Sequence, residues 1–166
     1  MEKEYRGKTV YEYLLKYIGI FFGVLMVSYL INSGNEKCIV NTDITINVLK
    51  DFCIILANNT LFFLVVLSSI FVGKKNIYIM IIATAFRIGL LISKFMYFNY
   101  LILIIPHGGI EIMVYLMLSA FVSVEIEKGN KINSELIKRA LVLYLLLTIS
   151  AIVEVVITPK LARVFL

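Results

Sequence analysis

The chain has 166 residues, 61% of them hydrophobic and only 16% charged, with a net charge of +5 and a mean hydropathy of +0.95. Soluble domains carry roughly a quarter charged residues, so this composition excludes a soluble globular domain and describes a single membrane-embedded one. The basic residues sit in short segments between apolar runs, which is topology-setting charge rather than a nucleic-acid surface.

Residues 1–16 form a mixed-charge head with Lys3, Arg6, Lys8 and Lys16. It reads as an anchor, or as an interfacial helix that binds a partner. It is not a cleavable signal peptide, because the apolar run that follows is long enough to span and no small-residue cleavage site closes it. That run, 17–35, is the first expected transmembrane helix. Gly19 and Gly23 make a G-x-x-x-G pair, a device for close helix approach that also arises by chance in apolar helices. Residues 36–51 are a polar loop and a short interfacial segment. Cys38 and Cys53 make no C-x-x-C or Cys/His cluster, which excludes a zinc finger. They read as free thiols, with a disulfide as the alternative.

A second uncharged run, 52–73, contains Asn58-Asn59 and ends at Lys74-Lys75. A third, 76–93, is interrupted by Arg87 and closed by Lys94. Residues 95–124 are too long for one crossing and too short for two. The expected solution is a re-entrant or half-helix over 95–105, a break at Pro106-His107-Gly108-Gly109, and a full helix over 108–124. Proline supplies no N–H and the glycines loosen the backbone. Broken backbone at membrane depth needs cover from protein or a watery cavity. His107, the only histidine, and Glu111 share a helix face at i,i+4. A charged loop follows at 125–139, then the last span over 140–159, which holds Glu154. No strand alternation and no repeat is visible. The fold class is an all-α polytopic bundle of about five spanning helices plus the half-helix.

With five spans, the head, the 74–75 turn and the 125–139 loop share one side and carry ten Lys/Arg, against five on the other. That bias puts the N-terminus in the cytoplasm and the C-terminus outside. At about 1.5 Å per helical residue, Asn58, Arg87, His107, Glu111 and Glu154 then fall at similar depth in the outer leaflet. Asn59 joins them if its helix presents both amides. An ionised group in lipid costs several kcal/mol unless it is paired, so a cluster with Arg87 bridging the two acids is the expected arrangement. It reads equally as a working site or as a polar lock between helices.

Three segments carry a family resemblance: Leu56-Ala-Asn-Asn-Thr60, Ile105-Pro-His-Gly-Gly-Ile-Glu111 and Ile152-Val-Glu-Val-Val-Ile-Thr-Pro159. Together they resemble the Asn-Asn, Pro-His-Gly-x-x-Glu and Ile-Glu-x-x-x-Thr-Pro elements of the stage II sporulation protein M family of integral membrane proteins. Order and spacing fit over roughly 15–163. The bulky Ile112–Ser119 stretch departs from the small residues usual in the family there. The resemblance implies two settings. One is sporulation, as a scaffold for cell-wall-degrading partners. The other, suited to so short a chain, is the biosynthesis of circular bacteriocins, which need maturation and export.

The expected function is thus a membrane component that matures or exports a hydrophobic secreted peptide. Its cavity would open to the outer leaflet and be lined by the polar set. In a catalytic version, an intramembrane peptidase or peptide cyclase, His107 is the general base, Glu111 orients it or shuttles a proton, and Asn58 or Asn59 holds an oxyanion. No nucleophile motif accompanies them. A metal version would place a divalent ion such as Zn²⁺ among His107, Glu111 and Glu154. The alternative is a non-catalytic scaffold or transporter subunit. Fitting partners are lipid, a hydrophobic precursor peptide, ABC-type transporter subunits or a second copy of the chain.

Overall fold

Long charge-free runs have one way to satisfy their own backbone in lipid without closing a barrel, which is the helix. The computed structural model describes residues 9–33, 48–93, 99–129 and 132–157, the side chains of 99–107 excepted. Its helices are α1 Val10–Asn32, α2 Val48–Val72, α3 Lys74–Ser93, α4 Asn99–Glu127 and α5 Ser134–Val156. Each contains a stretch long and apolar enough to cross a membrane, Gly108–Glu127 in the case of α4. The protein is a multi-pass, all-helical membrane bundle. Cys38, the first residues of the 95–105 segment and the chain from 158 onward lie outside the described residues.

Local chemistry sets the helix ends. α1 begins ahead of the uncharged run because Thr9 and Glu12 cap each other. Thr9 Oγ1 accepts the Glu12 N–H at 3.3 Å, and Glu12 Oε2 accepts the Thr9 N–H at 2.9 Å. α2 and α3 are separated by Gly73 alone. Its φ of +105° and its N–H bond to the Ser69 carbonyl at 2.7 Å are a left-handed helix stop, which glycine adopts without steric cost. α5 opens on Asn133, whose Oδ1 accepts the Leu136 N–H at 2.7 Å.

The expected break at Pro106–Gly109 does not interrupt the helix. The segment ahead of Pro106 is helical from Asn99 and runs on into Glu127 as one element. Proline removes one ladder bond, and neighbouring helices in a membrane bundle make that loss tolerable. α4 is also the centre of the bundle: among the described residues it packs against all four other helices, while α1 and α5 do not touch. Val114, Leu116, Leu118, Ala120 and Val122 are buried on every side of it. A helix buried round most of its circumference belongs in such a position, and α4 buries Ser119, Ser123 and Glu125 there as well.

α1 and α3 form the closest pair. α3 buries Ile77, Ile81, Ala85, Gly89 and Ser93, every fourth residue. Ser28 Oγ donates to the Phe86 carbonyl at 2.7 Å and Asn32 Nδ2 to Ser93 Oγ at 2.6 Å. A Cβ on Gly89 would stand 2.6 Å from the Leu25 carbonyl oxygen, whereas one on Gly19 or Gly23 would meet nothing within 4 Å. The close approach therefore uses the small residues of α3, not the G-x-x-x-G pair of α1.

At the end where α2 meets α3, Lys74 Nζ pairs with Glu127 Oε1 at 2.6 Å. Tyr13 donates its hydroxyl to the same carboxylate and accepts from Lys74. α1, α4 and the α2–α3 turn are thereby tied together.

Candidate functional site

The polar site forms where α2, α4 and α5 meet. Asn59 lies on the buried stripe of α2 with Phe63, Val66 and Ile70, at helical spacings of four, seven and eleven. Its neighbour Asn58, one residue and about 100° away, is exposed. Asn59 Nδ2 donates to Glu111 Oε1 of α4 at 2.5 Å. Tyr115, one turn below Glu111, donates its hydroxyl to Asn59 Oδ1 at 3.2 Å and to the Asn59 carbonyl at 3.3 Å. Glu154 of α5 continues the buried stripe of Leu143, Leu147 and Ser150. It stands within electrostatic reach of Glu111, and both carboxylates are half-buried.

The expected set is therefore brought together in part. Asn59, Glu111 and Glu154 converge from three helices. Arg87 does not join them. It is exposed on α3, about 200° round from the Ala85 stripe that packs on α1, and α3 has no contact with α5. Among the described residues no ion pair joins Arg87 to either acid. Physically this is a short distance to snorkel: Arg87 lies about 9 Å of helix from Ser93, and its long stem can carry the guanidinium toward the interface. His107 belongs to α4 one turn before Glu111, and its side chain lies outside the described residues. The described residues include no group of three or more His, Cys, Asp or Glu that could hold a metal ion. A Zn²⁺ site here would need the His107 imidazole.

Three participants escaped the sequence reading. Tyr115 was findable, since it follows Glu111 by four residues and must share its face. Thr60 and Tyr144 were not, because their pairing at 2.9 Å depends on how α2 turns toward α5. They mark one end of an apolar groove of about 420 Å³ between these helices, lined further by Phe63, Leu67, Leu136 and Leu141. That volume is within the usual range for a ligand site, roughly 300–1,000 Å³. The groove meets the polar site through Thr60, the neighbour of Asn59, rather than being lined by the acids themselves.

Chemically the site offers one carboxylate already held by an amide, a second beside it and a phenol. It can bind a polar group or move a proton. A serine, Ser150, lies one turn before Glu154 on the same buried stripe.

Comparison with known proteins agrees with the segment matches. The family model described as Stage II sporulation protein M matches residues 13–159, most of the chain. No significant match was found among curated proteins or among solved structures.

Proposed function

The chain belongs to the stage II sporulation protein M family, and from that premise we propose that it takes part in maturing or exporting a hydrophobic secreted peptide, of the circular-bacteriocin kind. The observation that carries this reading is the polar Asn59–Glu111–Tyr115 group at the head of an apolar groove between α2 and α5. A hydrophobic peptide could lay apolar side chains in the groove and present a backbone amide or terminus to the amide and carboxylates. Asn59, Glu111 and Glu154 are the working groups, with His107 one turn away on α4. Arg87 and Asn58 stand outside this role. The N-terminus is cytoplasmic and the C-terminus external, supported by the ten-to-five bias of Lys/Arg. The site then lies in the outer half of the membrane. A transporter subunit is the natural partner for the export step.

A second reading is a scaffold, including one for cell-wall-degrading partners. One feature favours it: the Asn59, Glu111 and Tyr115 side chains satisfy one another, as a helix lock would. The deciding experiment is His107→Ala and Glu111→Gln with the amount of membrane protein held equal to wild type. Loss of mature peptide in both supports the working site. Undiminished mature peptide in both refutes it in favour of the scaffold.

A further inference from the structure

Two polar residues stand apart from the polar site, and both are exposed: Asn58 of α2 and Arg87 of α3. Among the described residues neither makes a hydrogen bond or an ion pair. The α2–α3 hairpin brings them to one place. Beside the Gly73 turn, Asn76 Nδ2 donates to Ser69 Oγ at 2.7 Å. Further along, Phe62 and Val66 of α2 share a small cavity with Met80 and Thr84 of α3. α2 thus presents Ser69, Val66 and Phe62 to the seam, and α3 presents Asn76, Met80 and Thr84.

Residues three or four apart share a helix face, so Asn58 and Arg87 are the next positions of these two rows. Asn58 lies 15 residues before Gly73 and Arg87 lies 14 after it. At 1.5 Å per residue both stand about 21–22 Å from the turn. One amide and one guanidinium are therefore level with each other at the open end of the seam.

We propose that this end of the α2–α3 seam is a docking site for a membrane helix of another protein, one that carries an Asp or Glu side chain. Lipid offers polar groups neither donors nor acceptors, so those on spanning helices turn to protein or to water. A carboxylate suits both walls of the seam. Arg87 supplies the positive charge and a forked donor, and Asn58 supplies an amide N–H. A lipid phosphate meets only half of this. Asn58 lies about 15 Å along α2 from Val48, and its short side chain cannot climb to a headgroup as a long arginine can. A second copy of the chain does not fit either. Its acids at this depth, Glu111 and Glu154, are half-buried in their own site, and a symmetric pairing of this face would set arginine against arginine. The docking site does not rest on the peptide reading, which can fail without affecting it.

The test is association with a synthetic leucine-rich transmembrane helix in phosphatidylcholine liposomes. The peptide carries an acceptor dye and one Asp about two turns from one end; the control peptide has Leu there. The full-length protein, with Cys38→Ser, carries the donor dye on its exposed Cys53. Energy transfer from this protein is expected to reach half its maximum at about fivefold less Asp peptide than Leu peptide. Arg87→Leu should bring the Asp peptide to the level of the control, and Asn58→Leu should remove part of the difference. Both variants should resist denaturing detergent as well as the parent protein, because neither side chain is used within the bundle. Equal association of the two peptides overturns the proposal, as does an Asp preference that Arg87→Leu leaves intact. So does a preference that disappears when about a third of the lipid is phosphatidylglycerol, since lipid phosphate then holds Arg87. A loss of stability in Arg87→Leu would place its partner inside the chain and overturn the proposal as well.

Discussion

Gly89→Ala tests the packing that sets the α1–α3 pair, and the geometry gives its magnitude. The added Cβ would lie 2.6 Å from the Leu25 carbonyl oxygen, 2.8 Å from Ser28 Cβ and 3.0 Å from Ser28 Oγ. The first of these is backbone and cannot rotate away, so α1 and α3 must separate by several tenths of an ångström. Overpacking of this kind costs about 1–3 kcal/mol. The separation also strains the Ser28–Phe86 bond of 2.7 Å, and an interhelical bond in a membrane contributes on average ~0.6 kcal/mol. Gly89→Ala should therefore destabilise by about 2–3 kcal/mol in reversible unfolding by denaturing detergent from mixed micelles. Gly19→Ala and Gly23→Ala meet open space and should cost under ~0.5 kcal/mol. A Gly89→Ala protein as stable as wild type would refute the reasoning. A larger loss at Gly23 than at Gly89 would do so too.

Two further outcomes separate neighbours that the sequence makes look alike. Asn59→Ala leaves the Glu111 carboxylate without its amide donor and should lower stability by about 1–3 kcal/mol in the same assay, whereas Asn58→Ala on the exposed face should cost under ~0.5 kcal/mol. Equal losses would show that the α2 face is misassigned. For the Lys74–Glu127 pair, Lys74→Met and Glu127→Gln should each destabilise, and the double variant by less than the sum, because each single change strands its partner. Strict additivity would mean the two do not interact.

Much of this architecture is legible in the residues because lipid is so restrictive a solvent. Long apolar runs around 17–35, 52–73, 76–93 and 140–159 favour helices, and α1, α2, α3 and α5 overlap them. Depth is legible for the same reason: helical rise alone aligns Asn59, Glu111 and Glu154. Rotation about each axis is harder to read. When a helix is apolar on all sides, nothing local says which side faces protein, so helical rise alone groups Arg87 and Asn58 with the acids, although both are exposed. Arg87 could have been sorted from the Ala85-x-x-x-Gly89-x-x-x-Ser93 stripe, since packing by small residues turns the arginine to the opposite side. Gly19 and Gly23 drew attention as a familiar spacing, yet α1 meets its neighbour through Tyr17, Phe21 and Ser28 instead. Pro106 and the two glycines suggested a break by local rules, which the packing around α4 outweighs. The groove between α2 and α5 depends on a tertiary pairing, Thr60 with Tyr144, that no single segment encodes.

The central claim is that the groove leading to Asn59 and Glu111 receives a hydrophobic peptide. The most direct measurement is photo-crosslinking in cells producing that peptide, with Leu141 of the groove replaced by a photoreactive leucine analogue. A second protein carries the same probe at Ile79, exposed on α3. The account predicts a peptide adduct at position 141, identified by mass spectrometry, and lipid adducts alone at position 79. Lipid adducts alone at both positions would contradict it.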